Sequence, residues 1–112
     1  MNATFLGKCG STGGNCPTLL SYEDGYLVQA WKTETPGTVE LPHRLLGFLE
    51  PDYYIGEPLA DTGRGTFLLS GRPVTDPGTL AQLDIADDET VIAVEKAERT
   101  YYGATATRQS VA

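Results

Sequence analysis

Residues 18–32 read TLLSYEDGYLVQAWK, and this stretch decides the fold. Two runs rich in Leu, Val and aromatic residues flank Glu23-Asp24-Gly25, and an Asp-Gly pair between such runs is a strong signal for a β-hairpin. In the second run, apolar residues occupy both alternating sets of positions, from Tyr26 to Trp31. Since alternate residues of a strand point to opposite faces, we expect this strand to lie inside a sheet that is covered on both sides.

Further short elements are predicted on the C-terminal side of this hairpin. Thirteen Gly and seven Pro interrupt any long helix, so strands joined by tight turns are favoured. Pro42 suits the first turn of a helix, and Asp76 with Pro77 is a typical helix start. The predicted elements are a strand at 38–41, a short helix at 43–49, a strand at 65–72, a short helix after Asp76 and a strand at 90–96.

The second half of the chain repeats the pattern of the first. Residues 65–72 match 25–32, and 90–96 match 38–44, although few residues are identical; chance similarity is the alternative. One such unit cannot bury its apolar face alone, so two should pack on each other or on a second chain. We predict a mainly β fold, a small sandwich or open barrel made of two repeated strand-turn-strand units with two short helices. The predicted boundaries are an irregular N-terminal arm at 1–17, a single β-rich domain at 18–102 with repeat units 18–50 and 65–99 and linker 51–64, and a C-terminal tail at 103–112.

The charge and the N-terminal sequence limit the partners. The net charge is -7, with 15 acidic and 8 basic residues, which argues against direct binding to nucleic acid. The start MNATFLGK has neither the basic segment nor the apolar stretch of a signal peptide, and no apolar run is long enough to span a membrane. We therefore expect a cytoplasmic protein, and the thin core favours a homodimer.

No set of residues in the sequence predicts catalysis, a cofactor or a metal. A triad would have to use His43, which lies beside Arg44 at the start of an amphipathic helix. A zinc site needs about four ligands, whereas the chain has only Cys9, Cys16 and His43. A disulfide between the two cysteines is sterically possible, but we expect reduced thiols in the cytoplasm.

Two groups of side chains are predicted to bind a protein partner. Tyrosines commonly anchor protein interfaces, and acidic residues can steer a basic partner. For the acidic run, a solvated loop before a strand is the alternative interpretation. The candidate residues are Tyr53, Tyr54, Tyr101 and Tyr102, and the acidic residues Asp84, Asp87, Asp88 and Glu89.

Residues 13–49 carry a partial resemblance to a known family. Gly14-Asn15-Cys16 is followed by a strand, a second strand at 28–32, a Pro-Gly turn, a third strand at 39–41 and a short helix at 45–49. This order resembles the BldB-like family of small actinomycete regulatory proteins, although the usual tryptophan before the helix phenylalanine is absent. The resemblance implies a non-enzymatic partner of a helix-turn-helix regulator whose activity it opposes.

These observations favour a self-associating protein-binding module that docks on a basic DNA-binding regulator. The alternative is a structural or assembly protein built from a duplicated β unit. An enzyme is the third interpretation, and it would require a pocket with strongly perturbed carboxylates.

Overall fold

The computed structural model describes residues 3–9 and 16–99. Nine strands and two short helices make up this part of the chain, so the mainly β fold with two short helices is confirmed. In chain order they are β1 (Ala3–Lys8), β2 (Thr18–Tyr22), β3 (Gly25–Lys32), β4 (Thr38–Pro42), a 3₁₀ helix (His43–Phe48), β5 (Tyr53–Ile55), β6 (Leu59–Asp61), β7 (Thr66–Ser70), β8 (Arg72–Pro73), α1 (Pro77–Leu80) and β9 (Glu89–Glu98).

β3 lies at the centre of an open, antiparallel arrangement of strands. β2 and β9 both pair with the first residues of β3, so they occupy its two opposite edges. From β3, paired strands lead through β2 to β1 and, at the last residues of β3, through β4 and β7 to β6. Trp31 pairs with both Glu40 of β4 and Glu89 of β9, so β4 lies on the same edge of β3 as β2. β9 also pairs with β8 and with β5, so it has three neighbouring strands.

Both faces of β3 are covered, as the sequence predicts. Tyr26 and Val28 lie in the larger core, which the 3₁₀ helix closes with the fully buried Leu45. Leu27, on the opposite face, lies in a smaller core against which Leu80 and Leu83 pack from α1 and the segment after it. The sheet is therefore the middle layer between two apolar clusters.

The hairpin and the helix starts are also confirmed. β2 and β3 pair in register around the turn, in which Glu23 adopts a positive φ of 52°. Pro42 precedes the 3₁₀ helix, and Asp76 caps α1 with Pro77 in its first turn. Cys9 and Cys16 are both buried, and no disulfide joins them in the described part of the chain.

Three predictions about the chain's organisation need correction or fall outside the described residues. The arm at 1–17 is not irregular throughout, because Ala3–Lys8 pairs with β2 as a strand. The linker at 51–64 contains β5 and β6, which are short strands stabilised by pairing with β9 and β7. The tail at 103–112 lies outside the described residues.

The two predicted repeat units do not form matching strand pairs. In the first unit β3 pairs with β4. In the second, the corresponding strands β7 and β9 have different neighbours: β7 pairs with β4 and β6, and β9 pairs with β3, β5 and β8. The two units are therefore not equivalent in the sheet, and their strands interleave.

The cap of α1 gives a pH-dependent contribution to stability. Asp76 accepts hydrogen bonds from the Thr79 hydroxyl at 2.7 Å and from the Thr79 backbone N–H at 2.9 Å, and these bonds lower the pKa of its carboxyl. Since the pKa is lower in the folded state, the stabilisation is complete above the unfolded-state pKa of about 3.9 and is lost as the pH falls through the folded-state pKa.

We expect Asp76→Ala to lower the melting temperature most at neutral pH, with a difference from the wild type that shrinks as the pH falls below about 4. Thermal unfolding followed by circular dichroism over this pH range measures the difference. Asp87→Ala removes an exposed carboxyl outside the helix and is the matched control. A difference for Asp76→Ala that stays constant with pH would contradict the assigned role of the carboxylate.

Candidate protein-binding surface

The structure exposes both tyrosines of the predicted doublet that lies within the described residues. Tyr53 is 41% exposed and Tyr54 is 47% exposed, on neighbouring positions of β5. Tyr101 and Tyr102, the second predicted doublet, lie outside the described residues. Since successive residues of a strand point to opposite faces, β5 presents one aromatic side chain to solvent on each of its faces.

The acidic candidates lie at the other end of β9. Asp84, Asp87 and Asp88 are exposed in the loop that precedes this strand. Tyr54 pairs with Ala97, eight residues after the first residue of β9, which is a distance of about 26 Å at about 3.3 Å per residue. The tyrosines and the acidic loop are therefore two separate surfaces.

Glu89 does not belong to the exposed acidic surface, which corrects its predicted place there. Its side chain is 2% exposed, and its Oε1 accepts hydrogen bonds from Gln29 Nε2 at 2.8 Å and from the Ala86 backbone N–H at 3.2 Å. Gln29 Nε2 also donates to the Asp84 carbonyl at 2.7 Å. The pair holds the segment before β9 against the sheet, so Glu89 has a structural role.

The sequence contains one signal for this pair. Gln29 is the one polar residue at an inward-facing position within the apolar run from Tyr26 to Trp31 of β3. A buried amide requires a hydrogen-bonding partner. The sequence does not show which acidic residue supplies it, because the partner comes from a distant part of the chain.

A polar cluster that the sequence did not predict supports β5 from the inner side. The hydroxyl of the buried Tyr26 donates to the Tyr53 carbonyl at 2.8 Å and accepts from the Glu50 backbone N–H at 3.2 Å. The Lys96 ammonium forms an ion pair with Glu50 and lies 5.8 Å from the centre of the Tyr53 ring. These contacts fix the position of β5 and of the chain that leads into it.

Acidic side chains lie on both sides of the two tyrosines, together with the cations Lys96 and Arg99 near Tyr53. Glu98 pairs with Tyr53 across β5 and β9, and the Glu95 carbonyl accepts from the backbone N–H of Gly56, next to the exposed Glu57. We call the side chains Tyr53, Tyr54, Glu57, Glu95 and Glu98, which lie around β5 on both of its faces, the β5 surface. All three of its acidic residues are exposed. The chemistry of this surface suits a basic partner with apolar contact area.

Neither of the two polar arrangements that resemble catalytic dyads is set up for nucleophilic attack. Lys96 Nζ donates to Ser21 Oγ at 2.9 Å and forms an ion pair with Glu50, so it is a hydrogen-bond donor in this arrangement and not a base placed to take the Ser21 proton. The exposed His43 has its Nε2 3.3 Å from Asp61 and 3.2 Å from the Thr66 carbonyl, and neither is a hydroxyl or thiol that a histidine base would activate.

His43 serves instead as a contact between the 3₁₀ helix and the strands β6 and β7. Its ring lies 4.1 Å from the ring of Phe67, measured between centroids. The pKa of Asp61 is lowered, first by the backbone N–H of Gly63 and then by His43. Through these contacts, the His43 side chain connects the start of the 3₁₀ helix to β6 and β7.

Two kinds of site are absent from residues 3–9 and 16–99. There, no cluster of three or more His, Cys, Asp or Glu side chains is placed to hold a metal ion. No helix in the same ranges has the length and apolar character needed to cross a membrane.

Comparison with known proteins gives no matching family model, no matching curated protein and no matching solved structure.

Proposed function

We propose that this chain is a non-enzymatic protein-binding module that docks on a basic protein through the β5 surface. The observation that supports this most directly is the pair of adjacent tyrosines, both more than 40% exposed, on a strand that a buried hydrogen-bonded cluster holds from behind. Tyrosine is enriched among the residues that dominate binding energy, since it buries a large area with little loss of conformational freedom. A fixed strand reduces the ordering cost of binding further.

The negative charge of this chain indicates which kind of partner it binds. The net charge of -7 and the acidic residues of the β5 surface attract a basic protein over long range and repel acidic ones. We propose a helix-turn-helix transcription factor as that partner, which this chain antagonises by covering its DNA-binding face. The BldB-like resemblance supports this choice, and a cytoplasmic location follows from it.

The alternative function is that of a structural or assembly protein. The specific observation in its favour is the open edge of β1, where Phe5 is 60% exposed. Repeated edge-to-edge contacts would give large regular particles in size-exclusion chromatography, whereas a docking module gives small complexes of defined stoichiometry.

Binding is tested with the helix-turn-helix protein encoded nearest to the gene for this chain. We expect wild type to bind it at low salt and to release it from DNA, and Tyr54→Ala to bind at least about tenfold more weakly because an anchor is truncated. Isothermal titration calorimetry and a DNA mobility-shift assay are the two measurements.

Asp87→Asn is the matched control, because it removes a charge from the acidic loop at the far end of β9. We expect it to bind within about threefold of wild type, since a peripheral charge contributes little to affinity. The proposal is wrong if the wild type does not bind at low salt, or if Asp87→Asn weakens binding as much as Tyr54→Ala.

A further inference from the structure

β1 is an edge strand with an exposed aromatic side chain. Within the described residues it pairs only with β2, so the backbone groups on its outer side have no strand partner there. Thr4 and Phe5 are exposed, and Phe5, at 60%, is the most exposed large apolar side chain among the described residues. An open edge of this kind is a template for pairing with another extended segment.

A groove continues from β1 across the face of the sheet. Phe5 pairs with Leu20 across β1 and β2, which places both on the face that carries the smaller core. A cavity of about 290 Å³ lies beside them, between β1 and the segment that follows α1, and Leu83 forms part of its opposite wall. An aromatic side chain from another chain, placed beside Phe5, would cover the apolar side chains Leu20 and Leu83 that line this groove.

The β1 edge also differs from the rest of the molecule in charge. Residues 1–22 contain no acidic residue and one basic residue, Lys8, in a chain of net charge -7. Lys8 and Asp84 both line the groove, so their formal charges cancel. Among the other edge strands of the described residues, β6 carries the acidic Asp61 and β5 is followed by the acidic Glu57, whereas β8 carries Arg72. Two copies that approach through β1 avoid most of the repulsion that their net charges produce.

We propose that β1 is the self-association site, where the β1 strands of two copies pair antiparallel around a twofold axis. A strand is complementary to itself in this mode, and the axis keeps both Phe5 side chains on the same face of the joined sheet. The register shift between Phe5 and Gly7 marks a bulge that confines regular pairing to the first residues of β1. The dimer is therefore closed, small and dependent on concentration.

The test is sedimentation velocity of the full chain between about 1 µM and about 1 mM, the range in which small interfaces associate. We expect wild type to shift from monomer to dimer, and Phe5→Asp to need at least about tenfold higher concentration, because it brings two carboxylates together at the axis. Added salt should strengthen the wild-type dimer, since it screens the repulsion between two negatively charged copies.

Tyr54→Asp is the matched control, because it adds the same charge to an exposed aromatic position at another edge. It should dimerise like wild type while losing the basic partner, which separates this proposal from the proposed function. Circular dichroism and thermal unfolding check that both variants fold. Three results would each overturn the proposal: wild type that stays monomeric to about 1 mM, Phe5→Asp that dimerises as wild type does, or Tyr54→Asp that weakens the dimer as much as Phe5→Asp.

Discussion

Gln29→Met is expected to lower the free energy of unfolding by about 3 kcal/mol, because it leaves the buried Glu89 carboxylate without its side-chain donor. The Gln29 amide is 2.8 Å from Glu89 Oε1 and 2.7 Å from the Asp84 carbonyl. Glu89 Oε2 has no hydrogen-bond partner among the described residues. The amide is therefore a major source of hydrogen bonding for a carboxyl group that is only 2% exposed.

The double variant Gln29→Met/Glu89→Met should be more stable than the sum of the two single effects predicts, by at least about 1 kcal/mol. Removing both groups eliminates the buried charge, and the two Met side chains fill a similar volume beside Val91 in the smaller core. The comparison forms a double-mutant cycle, which urea unfolding of the four proteins measures.

Glu95→Gln is the control for loss of a carboxylate from the same strand. Glu95 is exposed, so its replacement should change the free energy of unfolding by no more than about 0.5 kcal/mol. A Gln29→Met effect as small as this, or strictly additive effects in the cycle, would show that the pair does not act as a unit.

The parts of the fold that local sequence determines could be predicted. An Asp-Gly turn fixes the register of β2 and β3 within a few residues, and a proline or a capping carboxylate fixes where each short helix begins. The central strand could be identified because apolar residues occupy both alternating sets of positions in β3. A strand buried on both faces requires this pattern, since a polar side chain there needs a hydrogen-bonding partner.

The parts that depend on distant partners could not be predicted. β1 shows no clean alternation and is a strand because β2 offers it an edge. β5 has three residues and exists through its pairing with β9. Glu89 stands in a run of acidic residues that is typical of a solvated loop, and its burial follows from the amide that Gln29 presents across the sheet. The exposure of Tyr53 and Tyr54 agrees with the sequence-based expectation, whereas their separation from the acidic loop required the strand order.

Gly25→Ala is expected to destabilise the fold by about 2 to 3 kcal/mol, because no space exists for a methyl group at this position. A Cβ on Gly25 would lie 2.3 Å from the Val94 carbonyl oxygen, which is backbone and cannot move aside by a change of rotamer. Relief of this contact requires β3 and β9 to separate at the end where the Lys96 N–H donates to the Asp24 carbonyl. The same displacement would shift Lys96 and loosen the cluster behind β5, so binding of the proposed basic partner should weaken as well.

Gly47→Ala is the matched substitution, since a Cβ at that position of the 3₁₀ helix has no heavy atom within 4 Å. With space available and no positive φ to accommodate, it should be neutral or stabilise the protein by about 0.5 kcal/mol through reduced freedom of the unfolded chain. Urea unfolding measures both variants. If the free energies of unfolding of the two variants differ by less than about 1 kcal/mol, the close contact between β3 and β9 at Gly25 does not contribute to the stability of the sheet as proposed.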